Sequence, residues 1–515
     1  MDAERNGSGS QNGTHSAAER GNGGDGAASS NGGFGPTTSI CPECKQLLEA
    51  EVAERDGRVV LRKTCPDHGS FEAVVYGDAT RYSEIQRYSK PGEDPVERQT
   101  VLEAGCPHDC GICPEHEQHT CLGIIEVNTA CNLDCPICFA ESGTGHDPTG
   151  YSLTLEQVEE MLDAFVRAEG EPESVQLSGG EPTIHPQILE MLAAARERGI
   201  PLVMLNTNGI RLARDAAFAP ALAEIGVHVY LQFDGFSDET QLAIRGRKLT
   251  EEKLKALDAC AEAGVTVSLA AAVERDLNED EIGAIVRFGV DHPAVTGVFF
   301  QPVTHSGRYR SDSDPLDKLT NSDVIDAVAE QLPEWFRADD FVPVPCCSPS
   351  CRSATFAIYD GEDLVPLTRL VNVDEYLDYV TNRAVPDLEV KEALEGLFSA
   401  KAAGGTAPTA ERLECVACAV GMPPELRDVA ARGFMVVVQD FQDPYTLDVN
   451  KLRKCCVAEI VPDGRIIPFC AYNSVGYREQ VRAQQSGAAT ANGGHSAIAH
   501  SAPTGTTGDR PVAHD

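Results

Sequence analysis

The sequence predicts an α/β chain built on a parallel sheet or partial barrel, with a cysteine-rich segment on either side. Three observations predict it. Between residue 123 and about residue 310, short apolar runs alternate with amphipathic stretches about six times. Each polar motif of that region directly follows an apolar run, where ligands gather in parallel α/β folds. The 19 cysteines fall in close groups, which in a reducing compartment points to metals rather than disulfides.

The elements follow in order. Residues 1–37 are rich in Gly, Ser, Asn and Ala and are expected to be disordered, as are residues 486–515. Residues 38–122 hold Cys41, Cys44, Cys65, Cys106, Cys110, Cys113 and Cys121 and form the expected N-terminal metal-binding domain. In 123–310 the buried-strand candidates are LGIIEVN, SVQLSGG, PLVMLNTNG, HVYLQFDG, VTVSLAAAV and GVFFQPV. Amphipathic stretches such as TLEQVEEMLDAFVRAEG and HPQILEMLAAARERG lie between them. Residues 311–485 hold a second cysteine group and form the expected C-terminal α+β auxiliary-cluster region.

The formal net charge is −38, with 80 acidic against 42 basic residues. Such a surface repels nucleic acid and anionic headgroups and fits a protein kept soluble in a salt-rich cytoplasm. No Lys/Arg patch carries interleaved aromatics, and there is one Trp, so a nucleic-acid partner is not expected. No run reaches the roughly 18 apolar residues of a membrane span, and no hydrophobic signal core is present, so the expected location is cytoplasmic.

The sharpest motif is NTACNLDCPICFAESG, which spaces Cys131, Cys135 and Cys138 as C-x3-C-x2-C. A structural zinc site takes four ligands, and so does an electron-carrying cluster. Three thiols leave a position open to something that is not protein. About forty residues on, SGGEPT carries Gly179, Gly180 and Glu181. LNTNG then carries Asn206 and Asn208, LQFDG carries Gln232 and Asp234, and VERDLNEDE carries Asn278. Glycines admit a backbone close to a ligand, and a carboxylate suits a buried ammonium.

Together these motifs resemble the radical S-adenosylmethionine superfamily over residues 123–310. The resemblance implies a partial (β/α)6 barrel. It implies a [4Fe–4S] cluster on Cys131, Cys135 and Cys138, the catalytic cysteines, whose open iron binds S-adenosylmethionine. Gly179, Gly180 and Glu181 then hold the methionyl end, and Asn206 and Asn208 point at the site. Gln232 and Asp234 are implied contacts to the ribose, with Asn278 on the adenosine side. The residue before the third cysteine is usually aromatic in this family; here Ile137 is expected to cover the adenine. The radical chemistry belongs to the cofactor, and its electron comes from a donor such as ferredoxin or flavodoxin.

The other cysteines are read from spacing. Cys41, Cys44 and Cys65, with His68 or another thiolate, make a tetrahedral site for one iron or zinc. Cys106, Cys110 and Cys113 repeat the C-x3-C-x2-C spacing, and Cys121 completes four ligands for an auxiliary [4Fe–4S] cluster; His108, His116 and His119 are alternatives. A further cluster is expected from the C-terminal group, Cys347, Cys351, Cys415, Cys418, Cys456 and Cys470, with one member of each Cys346–Cys347 and Cys455–Cys456 pair packed in the core. Cys260 is expected to be a core residue.

With PVPCCSPSCRSATFA and PFCAYN, the likeness extends over residues 40–480 to an archaeal subgroup that includes tetraether lipid synthase, whose members have also been classed as methyltransferase-like proteins acting on pterins. The leading expectation is therefore carbon–carbon bond formation between isoprenoid lipid chains, with peripheral membrane contact and an apolar tunnel. The alternative is a radical methyltransferase-like enzyme acting on a pterin or other small cofactor in a compact polar pocket. A metal-binding scaffold ranks last.

Overall fold

The structure is a computed structural model, which describes residues 34–144, 150–344, 347–359, 364–369 and 433–486. Cys346, Cys415, Cys418 and most of both expected tails lie outside the described residues.

The first four strands form an antiparallel ribbon in the order β1-β2-β3-β4: Gly35–Ile40, Leu47–Arg55, Arg58–Cys65 and Gly69–Tyr76. The N-terminal boundary expected at residue 37 is therefore too late. Gly35, Pro36 and Thr37 already pair with Val52, Glu51 and Ala50, because a two-sided β2 needs a partner along its full length.

The core strands appear where the apolar runs placed them: β5 Leu122–Glu126, β6 Ser174–Ser178, β7 Leu202–Thr207, β8 His228–Gln232, β9 Val267–Val273 and β10 Val295–Pro302. All pair in parallel in sequence order. Their outward residues, such as Val175, Leu177, Val203, Leu205, Val229 and Leu231, pack with the covering helices in one apolar core. The first helix after β5, Leu155–Glu169, shows why these stretches fold as they do. Thr154 and Gln157 form a capping box, and Gly170 ends the helix at φ 73°.

The region after residue 311 does not stand apart as a separate domain. The remaining strands are β11 Val342–Pro343, β12 Arg352–Tyr359, β13 Leu364–Pro366, β14 Gly433–Gln439, β15 Val457–Ile460 and β16 Ile466–Pro468. Strand β14 adds in parallel to β10, and β15 adds in parallel to β5. The six-strand sheet thus becomes eight parallel strands, with antiparallel β12 and β16 beyond them. Two open edges of backbone N–H and C=O groups are satisfied this way. The ribbon docks on the same region: Lys63, 4% exposed, donates to Ser39 Oγ at 3.0 Å and to the carbonyls of Pro444 and Tyr445 at 2.7 and 2.9 Å. Burial pulls its ammonium down to about 7, against the attraction of Asp443. Among the described residues no helix is long and apolar enough to cross a membrane.

Candidate active site and metal centres

The loop after β5 carries Cys131, Cys135 and Cys138, and the structure packs all three with Leu133, Ile210 and Leu249 in one group. Backbone bonds fix the loop. Cys131 N–H donates to Gly143 O at 3.2 Å, and Cys138 and Arg308 exchange backbone bonds at 2.8 and 2.9 Å. Arg308, which the sequence did not single out, also donates from Nε to Cys135 O at 3.0 Å. Burial pushes the Cys131 thiol up to about 12, so loading a cluster here releases protons. Ile137 is buried, its N–H on Ile244 O at 3.3 Å.

The end of β6 runs against this loop. A Cβ added to Gly179 would meet Asn128 O at 2.4 Å, and one on Gly180 would meet Ala130 O at 2.3 Å, so only glycine allows the approach. Glu181 is 1% exposed. Its Oε1 accepts from Thr183 N–H, Thr183 Oγ and Thr207 Oγ at 3.1, 2.6 and 2.7 Å, and Oε2 accepts from Asn208 N–H at 2.8 Å. Burial holds this carboxyl above its usual range although those four bonds pull it down. Beside it, Asn128 Oδ1 and Asn206 Oδ1 are buried without a hydrogen-bond partner among the described residues. Asn128 Nδ2 is on Glu181 O and Asn206 Nδ2 on Ser178 Oγ, so both amides stand at the β6 end. Orphaned acceptors next to a buried carboxylate fit an ammonium donor, which is what the methionyl end of S-adenosylmethionine presents.

The remaining strand-end residues divide. Gln232 lies half-buried on the inner face at the end of β8. Asn208 sits at the site but is committed: Nδ2 donates to Asn132 Oδ1 at 2.7 Å, and Oδ1 accepts from Ile210 N–H at 3.0 Å. Asp234 and Asn278 are engaged by protein groups. Asp234 is fully buried, paired through both oxygens with Arg245 at 2.7 and 2.6 Å and accepting from Ala272 N–H at 3.1 Å. Asn278 Nδ2 serves Asp234 O and Ala272 O at 2.7 and 2.8 Å, and its Oδ1 takes Glu274 N–H at 2.9 Å. With the amide's donors and acceptor engaged, Asn278 ties the ends of β8 and β9 together. Arg245, oriented by Asp234, lies against the Cys135 thiol.

Cys41, Cys44, Cys65 and His68 bring one ligand atom each within 4.8 Å of one another. The first pair follows β1 and the second closes the β3–β4 turn, an arrangement that suits one tetrahedral ion. Replacing Cys44 by Ala is expected to remove about one metal equivalent per chain, read by elemental analysis, while iron at the other cysteine groups stays.

Cys106, Cys110 and Cys113 line one cavity, and the fourth candidate there is His116, with Arg453 beside it. Cys121 is not part of it. The Leu122 N–H to Cys456 O bond, 3.1 Å, carries Cys121 to the start of β15, where it packs near Cys347 and Cys456. His116 is 6% exposed rather than solvated. Its ring bonds the Cys455 backbone, and burial holds the imidazole neutral, its pKa down at about 4. One ring nitrogen on a carbonyl leaves the other for a metal. The chemical signal was present in the motif, but only the fold tells His116 from His108 and His119.

Cys347, Cys351, Cys456 and Cys470 meet in a second cavity with Gln439 and Phe441. Cys455 lines it too, and Cys456 is the more buried of the pair, 1% exposed in the cluster with Cys121 and Cys347. Three rings join this cavity to the first cysteine loop: Phe139, next to Cys138, lies 5.6 Å from Phe469, and Phe469 lies 4.5 Å from Phe441. Cys260 is fully buried in the main core.

Comparison with known proteins decides the family. A profile described as the radical SAM superfamily matches residues 125–289, and one described as the HMPTM N-terminal zinc ribbon domain matches residues 34–77. The 7,8-dihydro-6-hydroxymethylpterin dimethyltransferase of Methanocaldococcus jannaschii is 31% identical over 86% of this chain and 94% of its own. The chain belongs to the radical S-adenosylmethionine superfamily. This radical SAM protein is also 35% identical to the GTP 3′,8-cyclase of Chlorobaculum tepidum, over 33% of this chain and 49% of that one. Among solved structures, the FeFe-hydrogenase maturase HydG from Carboxydothermus hydrogenoformans overlaps 42% of this chain and 52% of its own at a TM-score of 0.35 and 13% identity. Membership implies a [4Fe–4S] cluster and S-adenosylmethionine, and the site's three thiols and orphaned acceptors fit both.

Proposed function

We propose that this radical SAM enzyme abstracts hydrogen in the course of modifying a small heterocyclic substrate of the pterin class, with Cys131, Cys135 and Cys138 holding the cluster. When bound there, the cluster and S-adenosylmethionine supply the 5′-deoxyadenosyl radical. The chain's residues do the rest. Glu181 with Asn128 and Asn206 receives the methionyl ammonium, Gly179 and Gly180 make room for it, and Gln232 reaches the ribose. Ile137 shields the adenine face from water. Cys106, Cys110, Cys113 and His116 hold one auxiliary cluster, and Cys347, Cys351, Cys470 and a member of the Cys455–Cys456 pair hold another. A ferredoxin- or flavodoxin-type donor supplies the electron.

The observation that carries the substrate class is the inner face of the barrel. The strand residues opposite the helix-packed core mix polar and apolar groups: Gln176 and Ser178, Asn206, His228, Tyr230 and Gln232, Ser268, Gln301, Gln439, and the acids Glu126 and Glu459 alternate with apolar positions such as Ile124 and Val457. They bond across strands, His228 to Ser268 Oγ at 2.8 Å and Gln301 to Tyr230 OH at 3.0 Å. Met204, Phe299, Met435 and Val437 are set among them. Such a wall suits a compact polar ring system and disfavours the apolar tunnel that coupling of lipid chains requires. The 31% identical relative, named for a pterin substrate, supports the same reading.

The test uses the full chain, loaded with iron and sulfide under anaerobic conditions in high salt, with S-adenosylmethionine and dithionite. 7,8-Dihydro-6-hydroxymethylpterin is expected to raise 5′-deoxyadenosine formation and to gain mass in methyl increments. An isoprenoid diether that did so instead, losing hydrogen on coupling, would replace this reading with the lipid one. No deoxyadenosine with either substrate, from fully loaded protein, would leave a metal scaffold.

A further inference from the structure

Two carboxyls come together on the inner face where β5 pairs with β15. The register sets Glu459 opposite Ile124, and Glu126 follows two residues along the same face. Only Glu126 is served. It accepts from Tyr472 OH at 3.1 Å and from Arg478 at 2.5 Å, and Arg478 is further held by Asn473 Oδ1 at 2.5 and 3.2 Å. Glu459 is 2% exposed, and among the described residues its carboxyl makes no hydrogen bond.

The chemistry of the pair follows from this asymmetry. Arg478 pairs with Glu126 at 2.5 Å. Burial first, and then the charge of Glu126, hold Glu459 well above the carboxylate range, with Arg478 opposing. A protonated carboxyl offers one O–H donor beside one C=O acceptor. The matching ligand group is an N–H beside a C=O on one edge, a cis-amide or lactam. The wall that carries the pair is tied to the cysteine loop. Arg478 lies 5.8 Å over the Phe139 ring, and Arg482 donates to Ala140 O at 2.5 Å. A ligand bound at Glu459 therefore lies inside the barrel, on the wall that leads to Cys138.

We propose that Glu459 is a substrate-binding residue whose neutral carboxyl pairs with the lactam edge of a heterocycle held in the barrel, while Glu126, Arg478 and Tyr472 position it. This rests on the pterin-class reading of the substrate. It explains why the chain keeps a second, unpaired acid in its interior when one salt-bridged acid would satisfy the fold.

The experiment measures equilibrium binding of 7,8-dihydro-6-hydroxymethylpterin to the anaerobic holoenzyme with S-adenosylmethionine present, by fluorescence, from pH 6 to 10. Glu459→Gln keeps a donor beside an acceptor and is expected to bind within about threefold of wild type; Glu459→Leu is expected to bind on the order of tenfold to a hundredfold more weakly. The N3-methylated pterin, which lacks the lactam N–H, is expected to bind wild type as weakly as the parent binds the Leu variant. Wild-type binding is expected to be full where Glu459 is protonated and to fall as pH rises through its raised value, while the Gln variant stays flat. The groups facing Glu459 are Glu126, salt-bridged to Arg478, and Tyr472 and Tyr151, whose hydroxyls burial pushes up.

Equal binding by wild type and the Leu variant would overturn the assignment of Glu459 and leave the pterin reading standing. No binding to wild type would overturn both. Binding by the Gln variant as weak as by the Leu variant would overturn the neutral donor–acceptor role. If the Leu variant fails to hold iron, the N3-methyl probe and the pH profiles of wild type and Gln decide. A difference between the two profiles supports the proposal, and identical profiles sink it.

Discussion

Alanine at Cys135 abolishes reductive cleavage of S-adenosylmethionine and removes about four irons per chain, the content of one cluster. In the proposed assignment three thiols hold this cluster, and Cys135 sits buried in the group with Leu133 and beside Arg245. Two remaining cysteinates cannot hold the cube with an iron left open. The loss should be confined. Cys106, Cys110 and Cys113 line a cavity walled by Leu452 and Pro468, and Cys41, Cys44 and Cys65 lie in the ribbon, so both keep their metal. Iron analysis paired with a deoxyadenosine assay reads both halves of the result. Cleavage that survived with four irons fewer would place the active cluster elsewhere.

Methionine at Arg245 is expected to cost about 3 kcal/mol of folding stability, toward the lower end for a broken buried pair. Asp234 has no exposed surface and Arg245 little, and they share two hydrogen bonds. Lys253, 4.0 Å from Asp234 and equally buried, offsets part of the loss, which is why the lower end applies. The pair also sets a pH signature. Arg245 holds the Asp234 carboxyl below its usual range against the cost of burial. A depressed acid contributes stability that is fully present above its unfolded-state value, about 4, and is lost as pH falls through the lower folded-state value. The variant lacks that contribution, so its acid unfolding midpoint moves to higher pH. Chemical denaturation at pH 7 and an acid titration of both proteins measure the two effects. Because Arg245 also neighbours Cys135 and Cys138, cluster retention should fall with stability.

What the sequence showed and hid follows from the reach of each interaction. The Cys131 loop and the Gly179–Glu181 turn are each contiguous motifs, so the resemblance to the superfamily could place them at one site. The six core strands were legible because both faces of a parallel sheet are covered and the outward row is apolar. Asp234 and Asn278 were expected as ligand contacts because their motifs resemble the superfamily's. Their partners, Arg245 and the β9 end, lie outside the motif, and they turn both side chains inward to the scaffold. Cys121 was grouped with Cys106 by proximity in sequence, whereas the pairing of β5 with a strand more than three hundred residues later carries it away. The same long pairing creates the Glu126–Glu459 dyad, which no local pattern announces. Cys415 and Cys418, expected in a cluster, lie outside the described residues.

The interleaving of the two cysteine-rich segments has a consequence for how the protein is made. The ribbon and the Cys106–Cys113 loop leave the ribosome first, yet their walls are Tyr445, Leu447, Leu452 and Pro468. The barrel's first edge, β5, waits likewise for β15. During synthesis, which proceeds at roughly 5–20 residues per second, the thiols of the Cys106–Cys113 loop have no enclosing wall until residues 447–468 arrive. Iron–sulfur assembly machinery must therefore meet either an unfinished chain that needs chaperoning or a finished one that can reopen. A fragment that ends before residue 445 is expected to keep metal at the ribbon, whose candidate ligands are local, and to lose it at the Cys106–Cys113 loop, whose wall is then missing.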